Sequence, residues 1–82
     1  IMLEFKYTES LNERVVYKAI GYDVFYKESQ RLKDKEVKTF IVSAKTPRQK
    51  TLEKYGYRKT GRSGVYSSEG EILKHIGLIV LN

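Results

Sequence analysis

Cysteine is absent from this chain of 82 residues, and histidine occurs once, at His75. Neither a disulfide framework, a thiolate metal site nor a multi-histidine ligand set can be assembled from it. A reducing, cytoplasmic setting fits that composition. No run approaches the roughly 18 apolar residues needed to span a bilayer, and no basic segment leads into an apolar one at the N-terminus, so no membrane association is expected. Acids are the minority charge: 10 Asp and Glu stand against 16 Lys and Arg, a formal net charge of +6. Short length excludes a multi-domain enzyme and allows one small domain with a thin core. What is present suits a folded domain, since 40% of residues are hydrophobic and 12% aromatic, too many for a disordered chain.

Residues 2–7, Met2-Leu3-Glu4-Phe5-Lys6-Tyr7, alternate as a strand. Thr8-Glu9-Ser10 follows, and Ser10 with Glu13 reads as a capping box. A helix is expected over 11–28, with Leu11, Val15, Ala19, Tyr22 and Tyr26 in one apolar row and Val16, Ile20 and Val24 in the next. Gly21, mid-helix, suggests a close backbone approach or a site kept clear for a ligand. A polar loop over 29–36 leads to a β-branched strand at 37–44. Strand, helix and strand compose a right-handed βαβ unit with parallel strands. Thr46-Pro47 then reads as the N-cap and first turn of a short helix over 47–55 that Gly56 ends. Strands follow at 57–60, 65–67 and 72–81, as additions to the sheet edge. The apolar run Ile76 to Leu81 calls for burial on both faces or a partner beyond Asn82. The fold class is thus α/β, a small mixed sheet in one domain over 1–82. Because the chain opens inside a strand with no polar lead-in, it is expected to be part of a larger domain, and the open edge of its first strand could pair two copies.

Two features carry chemistry. Glu4 and Lys6 lie two residues apart, on one face of the first strand, a carboxylate that could hold a divalent cation beside an ammonium that could steady a water or a phosphate oxygen. The same tripeptide spacing recurs at Glu36-Val37-Lys38, at the mouth of a strand rather than within one. An ordinary solvated strand face would look similar. The second feature is charge asymmetry. Residues 1–41 hold eight cations and seven acids, residues 42–82 eight and three. Lys45, Arg48, Lys50, Lys54, Arg58, Lys59 and Arg62, interleaved with Tyr55, Tyr57 and Tyr66, have the makeup of a nucleic-acid surface, or equally of a solvated basic face. Arg14 and Lys18, one helical turn apart, could extend such a phosphate track. His75, with no adjacent residue to orient it, is assigned a structural or surface place.

From Glu4-x-Lys6, the helix bearing Arg14 and Tyr17, and the strand ending Ile41-Val42-Ser43, residues 2–45 resemble the later core of the PD-(D/E)XK nuclease superfamily, within it the recombination-promoting, transposase-associated group. The resemblance implies a mixed sheet with helices on both sides and Mg²⁺-dependent hydrolysis of DNA. Glu4 would be a metal ligand, the Phe5 carbonyl a further ligand, and Lys6 the cation that positions the attacking water. An Asp from a preceding strand, part of that pattern, has no counterpart, and neither Asp23 nor Asp34 falls in its place. The rival expectation is a non-catalytic module that binds nucleic acid or protein through the basic stretch 45–62.

Overall fold

A computed structural model describes residues 1–81. The elements are β1 (Met2–Tyr7), α1 (Glu13–Gln30), β2 (Lys38–Ser43), α2 (Gln49–Lys54), β3 (Tyr57–Lys59), β4 (Val65–Ser68) and β5 (Ile76–Val80), with 3-10 turns at Asp34–Glu36 and Leu73–His75. The sheet runs β1-β2-β5-β4-β3. β1, β2 and β5 are parallel, and β4 and β3 are antiparallel additions beyond β5. A mixed α/β sheet built on a βαβ unit is therefore what this sequence forms.

The final strand is not an edge addition. β5 is inserted between β2 and β4, which accounts for its apolar run: Ile76, Leu78 and Val80 are buried on one side, while Gly77 and Ile79 are half-covered on the other. It is also shorter than the pattern suggests, because Leu73–His75 turns as 3-10 helix before it.

Both helices lie on one face of the sheet. Leu11, Val15, Val16 and Ala19 before and along α1, and Leu52 of α2, enter a single core cluster with Ile41, Tyr57, Tyr66, Ile76, Leu78 and Val80. All the strand members of that cluster share one side of the pleat. Helices on both sides, which the family resemblance implies, are not found among the described residues. No helix there is long and apolar enough to cross a membrane.

Local chemistry sets the helix ends differently from the sequence pattern. α1 begins two residues late: Asn12 is its N-cap, its side chain accepting from the Val15 amide at 2.9 Å. Leu11 is drawn into the core, so it cannot serve as the first helical residue on a regular stripe, and the Ser10 capping box does not form. Asn12→Ala is expected to cost about 1 kcal/mol, whereas Ser10→Ala stays within about 0.5 kcal/mol; urea unfolding of the two variants separates the assignments. Along α1 the apolar stripe gives way to charge, for Asp23 and Lys27 are buried while Tyr22 is half-exposed against the Phe5 ring, 5.3 Å between centroids. Gly21 has nothing within 4 Å of where a Cβ would stand, so no backbone approaches it. α2 is a six-residue helix capped at Arg48 without a side-chain bond; Thr46 is not its cap, and Pro47 is buried ahead of it. Gly56, at φ 74°, follows its end as expected.

Candidate functional site

The uncovered face of the sheet is built by the other half of the strand alternation. Met2, Glu4 and Lys6 of β1 point there because Leu3, Phe5 and Tyr7 turn toward α1. Glu4 stands level with Phe40 and then Gly77, and Lys6 level with Val42, Ile79 and, beyond them, Val65. The Phe40 ring lies over Gly77, where an added Cβ would fall 2.6 Å from it; an aromatic side chain here covers backbone that glycine leaves bare. Lys38 and Arg58 are the other charged strand residues of this face. The result is an apolar strip, with Val42 buried and Phe40, Ile79 and Val65 half-covered, bordered by three cations and one carboxylate.

Glu4 and Lys6 are both exposed, and among the described residues neither side chain has a hydrogen-bond or ion-pair partner. They sit side by side without bridging, open to a ligand. Phe5 contributes its side chain to the opposite layer, so any role toward a cation would belong to its backbone carbonyl. Glu4 is the one acid among the strand residues of this face, and no group of three His, Cys, Asp or Glu side chains among the described residues is placed to hold a metal. The described residues by themselves do not make the oxygen-rich shell that Mg²⁺ demands.

The cations noted in the sequence do not gather on one surface. Arg14 pairs with Glu9 at the start of α1, and Lys18 is exposed one turn later. Lys54 of α2 approaches Glu13 at 3.9 Å and the Tyr55 ring at 5.4 Å, on the helical layer. Arg48 and Lys50 begin α2, Lys45 lies in the loop before it, and all three are exposed. Only Arg58 joins the open sheet face; Lys59 and Arg62 sit at the β3–β4 hairpin. Nor are the interleaved tyrosines a stacking platform. Tyr57 and Tyr66 are core residues, and the Tyr57 hydroxyl donates to the Ile76 carbonyl at 2.9 Å. Burial pushes that hydroxyl's pKa up, beyond the ordinary tyrosine range.

A polar cluster on the helical side escaped the sequence patterns. Lys27, 8% exposed, donates to Asp23 Oδ2 and to Asp34 Oδ1, each at 2.8 Å. The Thr39 hydroxyl of β2 donates to the other Asp23 oxygen. His75 Nε2 stands 3.4 Å from Asp34 Oδ2. Burial pulls the Lys27 pKa down, but the bonds to Asp23 and Asp34 outweigh it and hold it above the ordinary value, while the bond from Lys27 holds Asp34 below its own. No buried side-chain polar atom is left without a partner among the described residues, so the cluster is a satisfied tie between α1, β2 and the Asp34 turn. One signal could have found it: Ala19, Asp23 and Lys27 continue the buried row at i, i+4 spacing, which places two opposite charges under the helix.

No family model matches the chain, and neither a curated protein nor a solved structure matches it.

Proposed function

We propose that this is a nuclease-like domain that lays the phosphodiester backbone of DNA across the open sheet face, with Glu4 and Lys6 at the hydrolytic centre. The supporting observation is their placement: among the described residues, a carboxylate and an ammonium, exposed, unpaired and adjacent on a face no helix covers, bordered by Lys38 and Arg58. Phosphodiester cleavage builds negative charge on the pentacoordinate phosphorus oxygens, and an ammonium held beside them stabilises that charge. Lys6 would serve there, while Lys38 and Arg58 hold flanking phosphates. A divalent cation at such a centre would supply Lewis-acid help and an activated water. Glu4 would be one of its oxygen ligands, and the described residues provide no second carboxylate on that face.

That lone carboxylate favours a second reading, a binding module without hydrolysis in which the basic stretch 45–62 grips the backbone. One experiment separates the two. Plasmid nicking with and without Mg²⁺ is measured for the wild-type chain, Glu4→Gln and Lys6→Met. The nuclease reading expects each variant to lose about 10²- to 10³-fold in rate while duplex affinity changes by only a few-fold. Nicking that proceeds unchanged in both variants eliminates Glu4 and Lys6 as the centre. A wild-type chain that never nicks, yet binds with a steep salt dependence removed by neutralising Arg48, Lys54 and Arg58, is the binding module instead.

A further inference from the structure

A concavity of about 790 Å³ lies at the carboxyl end of β5, beneath the β3–β4 hairpin. Among the described residues Lys59 and Arg62 are its charged residues, and no acid lines it. The hairpin is held in shape by Thr60, whose hydroxyl donates to the Val65 carbonyl at 2.9 Å and accepts from the Arg62 amide at 3.1 Å. Gly64, at φ 74°, sits so close to β5 that an added Cβ would lie 2.7 Å from the Val80 carbonyl oxygen. The amides of Gly61, Ser63 and Gly64 have no acceptor within the protein among the described residues. Glycine at 61 leaves the loop backbone bare, with nothing within 4 Å of its Cβ position.

We infer that this hairpin pocket is a phosphate-binding subsite for the nucleic-acid backbone, with Arg62 and Lys59 as its cations and the loop amides as its additional donors. Unpaired amides in a glycine-containing turn form an anion-binding concavity, and a guanidinium offers two parallel donors that fit a phosphate's oxygens. The place in the fold agrees, because ligands of open α/β sheets gather beyond the carboxyl ends of parallel strands, here β2 and β5. The pocket straddles the end of the sheet, with Lys59 and Tyr66 from the helical face and Ile79 from the open one. Ile79, which lines the pocket, is level with Val42 and Lys6, two strand spacings or roughly 10 Å away. The subsite rests on the proposed function for its ligand class, not for its geometry.

Fluorescence anisotropy of a labelled 12-base-pair duplex, without Mg²⁺, is compared across salt for the wild-type chain, Lys59→Gln/Arg62→Gln, and a charge-matched control, Lys33→Gln/Lys35→Gln, at the opposite end of β2. Two lost phosphate contacts should lower the slope of log affinity against log salt by about 1.8 and weaken binding roughly 10- to 60-fold at 0.1 M salt. In the wild type, inorganic phosphate should shift the amide resonances of Gly61, Ser63 and Gly64. An equal effect of the control pair, or unshifted loop amides, overturns the subsite and leaves only net charge. Should the hairpin variant bind as the wild type does while Glu4→Gln abolishes nicking, the subsite is wrong and the nuclease reading survives. A lowered slope in the hairpin variant, beside nicking that is indifferent to Glu4 and Lys6, upholds the subsite and removes the nuclease reading.

Discussion

Lys27→Met is expected to remove about 3–5 kcal/mol of stability, the largest loss from any charged side chain here. Lys27 and Asp23 are 8% and 7% exposed, and the ammonium is what satisfies Asp23 Oδ2. Methionine fills the space of the aliphatic stem but leaves a carboxylate under the helix with only the Thr39 hydroxyl as donor. Asp34, in contrast, is exposed and regains water. The double variant Asp23→Leu/Lys27→Met should recover most of the loss, since replacing a buried ion pair as a unit is close to neutral. Urea unfolding decides it: a single-variant loss below about 1 kcal/mol would show that water already reaches Asp23. In a domain of this size the full effect lowers Tm by roughly 4–8 °C per kcal/mol.

The pH dependence of that difference follows from the directions of the two shifts. Asp34 is depressed below its ordinary 3.8, so its contribution is present above that value and fades as pH falls through the depressed one. Lys27 is raised above its ordinary 10.5, so its contribution is present below that value and fades as pH rises through the raised one. The gap between wild type and Lys27→Met should therefore stay level from about pH 5 to 9 and narrow in acid, below about pH 4.

Leu78→Ala is expected to cost about 3–4 kcal/mol. Leu78 is fully buried at the centre of β5, level with Ile41 on one side and Tyr66 on the other. Flanking strands on both sides and α1 above hold its surroundings in place, so the cavity collapses little and both the transfer and the cavity terms are felt. At roughly 0.05–0.15 kcal/mol per residue, a chain this short has little margin, and the variant should be partly unfolded at 37 °C by circular dichroism. Ile79→Ala, on the half-covered face of the same strand, should cost clearly less; equal losses would mean that the open face is as tightly packed as the core.

Strands and their faces were readable wherever apolar and polar residues alternate with period two. β1 spans Met2–Tyr7 as its pattern indicates, and β2 occupies Lys38–Ser43 within the expected 37–44. The α1 boundaries drifted by two residues at each end, from 11–28 to Glu13–Gln30, because Asn12 rather than Ser10 caps the helix once Leu11 is buried, and a left-handed Arg31 ends it. The cations were readable as residues but not as a surface. Arg58 and Lys59, adjacent in sequence, fall on opposite faces of β3 by strand alternation.

Sequence alone determined the parts: a βαβ start, the glycine that follows α2, and Glu4 beside Lys6 on one pleat. These are local properties, set by residue periodicity and backbone preference within a few positions. Tertiary structure alone decided that β5 enters the middle of the sheet, that both helices share one face, and that Asp23 and Lys27 are buried together. Each depends on contacts between residues far apart in the chain, where the gain from burying apolar surface and pairing charge outweighs what any local pattern records.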